Sequence, residues 1–551
     1  MFKQLLRPVV LMLVFLLLSL FLTQFYLEAG FPYTHDGENH LARFANYKVA
    51  IKEGQFPPRW APNLMNRYGY PVFNYNYPLA NIISLPFSFL KISYETTFKL
   101  IIIGAVAFGC GGVYLITSLL TDKRAPRFVA VFTWLLSPFL LTSILFRGNI
   151  GEVIAYSLFP WLGWVVLKIW KNQGQSPSYE VLAGIGLYTA LLLAHNIAAV
   201  FGTAVLLVFS APLLRKRNQW LRLLIIAVAS ACLSLWFWLP ALLEIHLVTL
   251  DSSGLSNMAT LHAVTLSQLL SPAVTFGYSY PGPIDSLSFG FGTLQWMILL
   301  LASGYWIVSK KKLQLWGVAI ALTWCLLLAQ LEFFSPLWEL LPFIRFIQFP
   351  WRLTLLTSLS IPIISVWLFL YAGKYIKVLL LVLVILQGLQ LSQVKPVDRF
   401  HRENIDYEAF TQSTTTSNEN LPKNFTYLQI GDWQPTARIL SGAGEISIES
   451  WQGSKREYDV TVTEDSTVVE PTAAFAGWST TITPSEDSSR RVEYVDNEEV
   501  SGRIAYQLQP GRYTVHTAFT QNTWPRLLGN AISILTMVVL AGYYGYRLGK
   551  R

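Results

Sequence analysis

Long apolar stretches, uncharged or nearly so, recur from one end of this chain to the other, and they constrain its fold more than any motif does. Val9 to Leu22 carries no charge at all. Counting that first run as 9–27, others lie near 98–120, 128–146, 153–170, 180–194, 197–213, 221–241, 289–308, 313–331, 353–373, 377–393 and 527–546. A helix of roughly 20 apolar residues crosses ~30 Å of hydrocarbon. The pattern therefore predicts a polytopic α-helical membrane protein with about twelve transmembrane helices. Composition agrees: 53% of the 551 residues are apolar and 13% charged, against about 25% charged in a soluble domain. Residues 79–90, "LANIISLPFSFL", are short for a span and contain Pro86, which reads as a re-entrant or interfacial segment. Lys3 and Arg7 precede the first run as in a secretory signal, but the run is long and no A-x-A-like site follows, so a retained helix is expected.

The formal net charge of +9 is unevenly spread, since residues 395–522 hold 19 of the 32 acidic side chains but only 11 of the 41 basic ones. Elsewhere the basic residues form short clusters between spans: Lys3/Arg7, Lys123/Arg124/Arg127, Lys168/Lys171, Arg215/Lys216/Arg217, Lys310/Lys311/Lys312, Lys374/Lys377 and Arg547/Lys550/Arg551. All seven fall on one face of the predicted map, which the positive-inside rule makes cytoplasmic together with both termini. Short clusters rather than one patch speak against nucleic acid as a partner. Cys110, Cys232 and Cys325 lie inside apolar runs and form neither a disulfide framework nor a CxxC pair.

The opposite face receives all seven histidines, nearly all carboxylates of the membrane region, and the segment 395–522. Within that segment "REYDVTVTE" and "GRIAYQLQPGRYTVHTAF" alternate apolar and polar residues, and Pro510-Gly511 reads as a hairpin turn. The expected organisation is a transmembrane domain over 1–394, with 28–97 as its first extracytoplasmic loop. An extracytoplasmic β-sandwich follows over 395–522, then a last transmembrane helix over 523–551.

Candidate chemistry clusters on that outer face. "FPYTHDGENHLARF" places His35, Asp36, Glu38 and His40 within six residues, at the start of a helical pattern carrying Leu41, Phe44, Ala45 and Val49 on one face. Carboxylates at a membrane are functional candidates by default. Asp36 serves equally as a helix N-cap, and with His40 four residues on it forms a pair that binds a divalent cation or shares a proton. In "FRGNIGEVIAY", Glu152 is either a second acid beside Asp36, with Arg147 holding a phosphate, or a carboxylate favoured by the helix dipole and paired to Arg147. His195-Asn196 interrupts two apolar runs, as an interfacial anchor or as a donor to a substrate. "LPFIRFIQFPWRL" puts Arg345 and Arg352 outside, against the usual bias; arginine suits bidentate phosphate recognition as well as anchoring. The loop "RWAPNLMNRYGYPVFNYNYPL" is dense in aromatic and amide groups, which fits a membrane belt or a sugar ring. No Walker A, GxSxG, HExxH or GxGxxG signal is present.

Taken together, "THDGENHLARF", "RWAPNLMNRYGYPVFNYNYPL", "RGNIGEVIAYSLFPW", "LLAHNIAA" and "FIQFPWRL" resemble bacterial 6-pyruvoyl-tetrahydropterin-synthase-related membrane proteins. The carboxy-terminal "AGWSTTI…GRIAYQLQPGRYTV" is similar to the YfhO-type group. The soluble synthase uses a histidine-rich zinc site, and no such triad is visible here. Both groups look like members of the GT-C superfamily of membrane glycosyltransferases. The resemblance implies a bacterial plasma membrane, a polyprenyl-phosphate sugar donor and a glycan or lipid acceptor. It makes Asp36 the catalytic acidic residue of the first outer loop, a general base or an orienter of the acceptor hydroxyl, and Glu152 the second acidic residue in the next. His35, His40, Arg147, His195, Asn196, Arg345 and Arg352 are then substrate- or phosphate-binding candidates, with a divalent cation (Mg or Mn) at Asp36 and His40 left open. Where a family member shows an adjacent acidic pair, this chain has His35-Asp36. The alternative is a non-enzymatic protein, a lipid-linked glycan transporter or an envelope-assembly scaffold.

Overall fold

The computed structural model describes residues 2–173, 178–252, 258–309, 314–340, 347–426, 433–485, 492–494 and 500–549. Among them, five helices are long and apolar enough to cross a membrane: Tyr94–Ser118, Ile150–Lys171, Arg217–Leu243, Lys374–Ser392 and Trp524–Arg547. Two bent pairs raise the number to at most seven. Arg124–Leu135 with Pro138–Leu145 turns by 45°, and Pro350–Leu359 with Ile361–Tyr371 by 50°.

The expected count of about twelve spans is thus corrected. The other apolar runs fold as helices of 10–17 residues, among them Pro8–Leu22, Tyr179–Ala194 and Asn196–Ser210. At 1.5 Å per residue, fifteen residues reach only ~22 Å, short of the ~30 Å core. Proline explains one bend directly: Ser137, before Pro138, is extended at ψ 123°, as the pyrrolidine ring demands of its predecessor. Hydropathy counts apolar residues and does not register such a break.

The chain forms two compact units. The first comprises Met1–Glu38, Glu95–Cys232 and Gly254–His401. It is helical, and Ile150–Lys171 is its most enclosed span, with 89% of its apolar window buried. Polar side chains tie its helices together. Gln387 Nε2 donates to Gln295 Oε1 at 2.8 Å, and Gln295 Nε2 to the Thr133 carbonyl at 2.7 Å. Two short strands, β1 (Phe31–Pro32) and β2 (Arg399–Phe400), pair antiparallel with Phe31 opposite Phe400. This clasp fixes the segment that leads into His35 and Asp36.

The second unit comprises Asn39–Tyr94, Leu233–Ser253 and Arg402–Arg551. Its strands are β3 (Arg438–Ser441), β4 (Gly444–Trp451), β5 (Lys455–Val462), β6 (Ser466–Ala473), β7 (Trp478–Pro484), β8 (Val492–Tyr494), β9 (Arg503–Leu508) and β10 (Gly511–Phe519). They form two open four-stranded antiparallel sheets, ordered β4-β5-β10-β7 and β3-β6-β9-β8. No closed sandwich or barrel is found among the described residues, which corrects the expected β-sandwich. Pro510-Gly511 is not a hairpin turn either: β9 and β10 belong to different sheets, so the chain crosses from one to the other there. Alternation identifies a strand but not its neighbour. Inward residues of both sheets, including Tyr458, Val460, Val468, Tyr506, Tyr513 and Val515, share one apolar cluster. Inside it, Glu470 accepts from Tyr458 at 2.7 Å and Thr517 at 2.6 Å and pairs with Arg456 at 2.8 Å.

The same unit holds the helix Gly37–Lys52 from Asn39 onward, where every residue from His40 to Tyr47 is buried. Its last span is anchored as well: Arg526 Nε and Nη2 donate to Glu244 Oε2 at 3.1 and 2.8 Å. Asn74 Nδ2 donates to the same oxygen at 2.9 Å.

Candidate functional site

In the first unit, the span Ile150–Lys171 begins at a side-chain cap. Asn149 Oδ1 accepts the Glu152 N–H at 3.0 Å, satisfying one of the open donors of the first turn. The Glu152 carboxylate, 1% exposed, turns toward two arginines. Arg147 Nη1 bonds Glu152 Oε2, and Arg352 Nε lies 3.0 Å from Oε1. The guanidinium of Arg147 sits 4.5 Å from the Trp351 ring, and that of Arg352 4.9 Å from Phe349.

His195 joins from the start of Asn196–Ser210. Its Nδ1 accepts the Ala198 N–H at 3.2 Å and so caps that helix. An accepting Nδ1 leaves the ring proton on Nε2, which is 3.8 Å from Glu152 Oε1. Glu152, His195 and Arg352 line a small pocket. The other walls are apolar, from Ile197, Phe201, Leu353 and Leu356 among others.

Asp36 reaches this cluster through Asn149, whose Nδ2 donates to Asp36 Oδ2 at 3.3 Å. The backbone makes the approach rigid. The His35 N–H donates to the Phe146 carbonyl at 3.0 Å and the Asp36 N–H to the Arg147 carbonyl at 2.8 Å. Gly148, at φ +60°, is required here: a Cβ would stand 2.4 Å from Thr34 Oγ1 and 2.9 Å from the Gly37 nitrogen. The His35 ring stacks on Tyr278 at 4.8 Å and meets Phe276 edge-on at 5.2 Å. Burial lowers the His35 pKa, partly opposed by Asp36, so the ring is neutral at pH 7.

Asp36, Arg147, Glu152, His195 and Arg352 are therefore brought together, with His35 at the edge. His40 belongs to the second unit, is 2% exposed, and has its ring 6.1 Å from Tyr77. Asn196 begins the helix behind His195. Arg345 lies outside the described residues. Among the described residues no group of three or more His, Cys, Asp or Glu is placed to hold a metal. Because Glu152 faces guanidinium groups, the donors around Asp36 do not fit a protein-held Mg or Mn ion, and no step is assigned to one. Sequence reasoning missed Asn149, Trp351 and Tyr278. The first was readable, since Asn-x-x-Glu has capping-box spacing; the other two carried no signal.

Among solved structures the chain is similar to arabinofuranosyltransferase AftD from Mycobacteria, with 15% identity and a TM-score of 0.45 over 70% of this chain and 26% of that one. It is also similar to the Archaeoglobus fulgidus oligosaccharyltransferase tethered with an acceptor peptide, with 13% identity and a TM-score of 0.42 over 76% and 61%. The chain thus spans about a quarter of the mycobacterial protein's length and less than two thirds of the archaeal one. No curated protein matches it. The model of the 6-pyruvoyl-tetrahydropterin synthase related domain, described as a membrane protein, matches residues 73–394, a stretch that includes Arg147, Glu152, His195 and Arg352. Covering more than half of the sequence, that match makes this chain a member of the 6-pyruvoyl-tetrahydropterin-synthase-related membrane proteins.

Proposed function

We infer that this membrane protein is a GT-C-like glycosyltransferase that moves a sugar from a polyprenyl-phosphate donor to an extracytoplasmic glycan or lipid acceptor. One observation carries the reading: a half-buried carboxylate, Asp36, is joined through Asn149 to the cluster of Glu152 with Arg147 and Arg352, of which Glu152 and Arg352 line a small, mostly apolar pocket. Guanidinium groups match phosphate oxygens, and apolar walls suit a lipid chain. In this mechanism Asp36 orients the acceptor hydroxyl and takes its proton as the new glycosidic bond forms. The bond from the anomeric carbon to the phosphate oxygen breaks, and the polyprenyl phosphate leaves with charge that Arg352 and Arg147 stabilise. Glu152 holds both arginines in position. The reading places the site and residues 395–522 outside a bacterial plasma membrane, with both termini cytoplasmic and membrane lipids around the spans.

The test is transfer of a radiolabelled sugar from a polyprenyl-phosphate donor in membranes carrying Asp36→Asn. Loss of transfer by about 10²–10⁴-fold is expected, with the melting temperature unchanged. Undiminished transfer would remove Asp36 from the chemistry. A second reading, a transporter of lipid-linked glycan, draws support from the two bent helix pairs, since transporters build substrate sites from broken helices. It requires movement of labelled lipid across reconstituted vesicles without any new glycosidic bond.

A further inference from the structure

The segment 271–292 has no helix or strand, yet its middle is pinned. The Tyr278 N–H donates to Ser286 Oγ at 2.9 Å, and the Ser286 N–H returns to the Tyr278 carbonyl at 3.1 Å. The Tyr280 N–H donates to Asp285 Oδ1 at 2.7 Å, while Gln268 Nε2 holds Asp285 Oδ2 at 2.9 Å. This scaffold keeps large rings at the protein surface: Tyr278 is 45% exposed and Tyr280 43%, with centroids 6.3 Å apart. Tyr33, also 43% exposed, has its ring 6.1 Å from Phe276, which in turn lies 5.7 Å from Tyr278. Tyr278 lies almost parallel to the His35 ring, at 16°, and His35 directly precedes Asp36.

We propose that Tyr33, Tyr278 and Tyr280 form a sugar-stacking platform that presents the glycan acceptor to Asp36. The proposal rests on the glycosyltransferase reading above and narrows its acceptor to a carbohydrate. A sugar ring offers a C–H face to an aromatic face and hydroxyls to polar groups at its edge, here those of Asp285 and Ser286. Fixed rings lose little conformational freedom on binding, which makes pinned tyrosines better suited than mobile ones. A lipid-surface anchor would also use tyrosine, but 271–292 contains no Trp, Lys or Arg, the residues that accompany Tyr in such anchors.

The test uses the full chain in nanodiscs and saturation-transfer NMR with maltoheptaose, mannan, arabinan and chitin oligosaccharides. At least one should bind, with Tyr278→Ala and Tyr280→Ala each weakening it about three- to tenfold and Tyr278→Trp retaining it. No binding by the wild type, or binding indifferent to both alanine variants, overturns the platform. A nitroxide at Ile284→Cys, with Cys110, Cys232 and Cys325 replaced by alanine, should be relaxed by a water-soluble nickel chelate. Preferential relaxation by oxygen would put the segment in lipid and overturn it equally. Asp36→Asn separates the two readings. Tyr-dependent binding with transfer intact in Asp36→Asn removes the catalytic role and keeps the platform; the reverse pattern removes the platform alone.

Discussion

The first unit buries Glu152 against two guanidiniums, Arg147 and Arg352, while the second buries Glu470 against one, Arg456. Around Glu470 the charges match one to one. Tyr458 and Thr517 hydroxyls both donate to Oε1, Arg456 donates to Thr472 at 2.7 Å, and its guanidinium lies 4.8 and 4.6 Å from the Trp451 and Trp478 rings. Around Glu152 two guanidiniums share one carboxylate, and Glu152 and Arg352 wall a pocket. A balanced, enclosed ion pair contributes little that apolar residues of equal volume would not. An unbalanced one beside a cavity is a candidate for binding something anionic, because structural packing alone does not call for it.

Single substitutions should separate the two clusters. Arg456→Met leaves Glu470 buried without its cation and should cost about 3–5 kcal/mol, read as a lowered denaturation midpoint in detergent. Adding Glu470→Leu should restore most of that loss; a double variant as unstable as the single would mean that the pair does more than fill space. Next in size, Arg352→Met leaves Glu152 paired to Arg147, so stability should change little while transfer falls about 10²–10³-fold, as when one oxyanion donor is removed. Equal losses of stability in Arg352→Met and Arg456→Met would erase the contrast. Asn149→Ala removes a helix cap worth about 1 kcal/mol and frees Asp36, so a small drop in melting temperature should accompany a several-fold loss of kcat. The smallest effect concerns pH. The folded-state pKa of His35 is lowered, first by burial, so its contribution is present above the unfolded value of about 6.5 and is lost as pH falls through the folded one. His35→Phe should flatten that acid limb of the melting curve, and an unchanged limb would assign it to other groups.

Legibility in the sequence followed locality. Asp36, Arg147 and Glu152 were readable because each stands at the edge of an apolar run, where a titratable group is conspicuous. The partners of Asp36 were half readable: Asn149 lies in the quoted "FRGNIGEVIAY", whereas Tyr278 reaches His35 only through the fold. The bends at Ser137 and Ser360 were hidden because apolar composition continues straight through them. Polarity misled as well. "WQGSK" reads as an exposed turn, yet Ser454 is 2% exposed and accepts from Gln55 Nε2 at 2.7 Å. Ser447, exposed on β4, is the position at which an introduced cysteine should react with a membrane-impermeant maleimide in intact cells if residues 395–522 lie outside.

The bond between Glu244 and Arg526 also sets a schedule. The two residues are 282 positions apart in the chain, so a ribosome working at about 5–20 residues per second completes Glu244 roughly 15–60 s before its partner. Throughout that interval the carboxylate at the end of Arg217–Leu243 lacks the guanidinium that bonds it directly. The second unit therefore cannot reach its final form until Arg526 has been made. Nascent chains stalled before Arg526 should be captured by membrane quality control, and those released after it should escape.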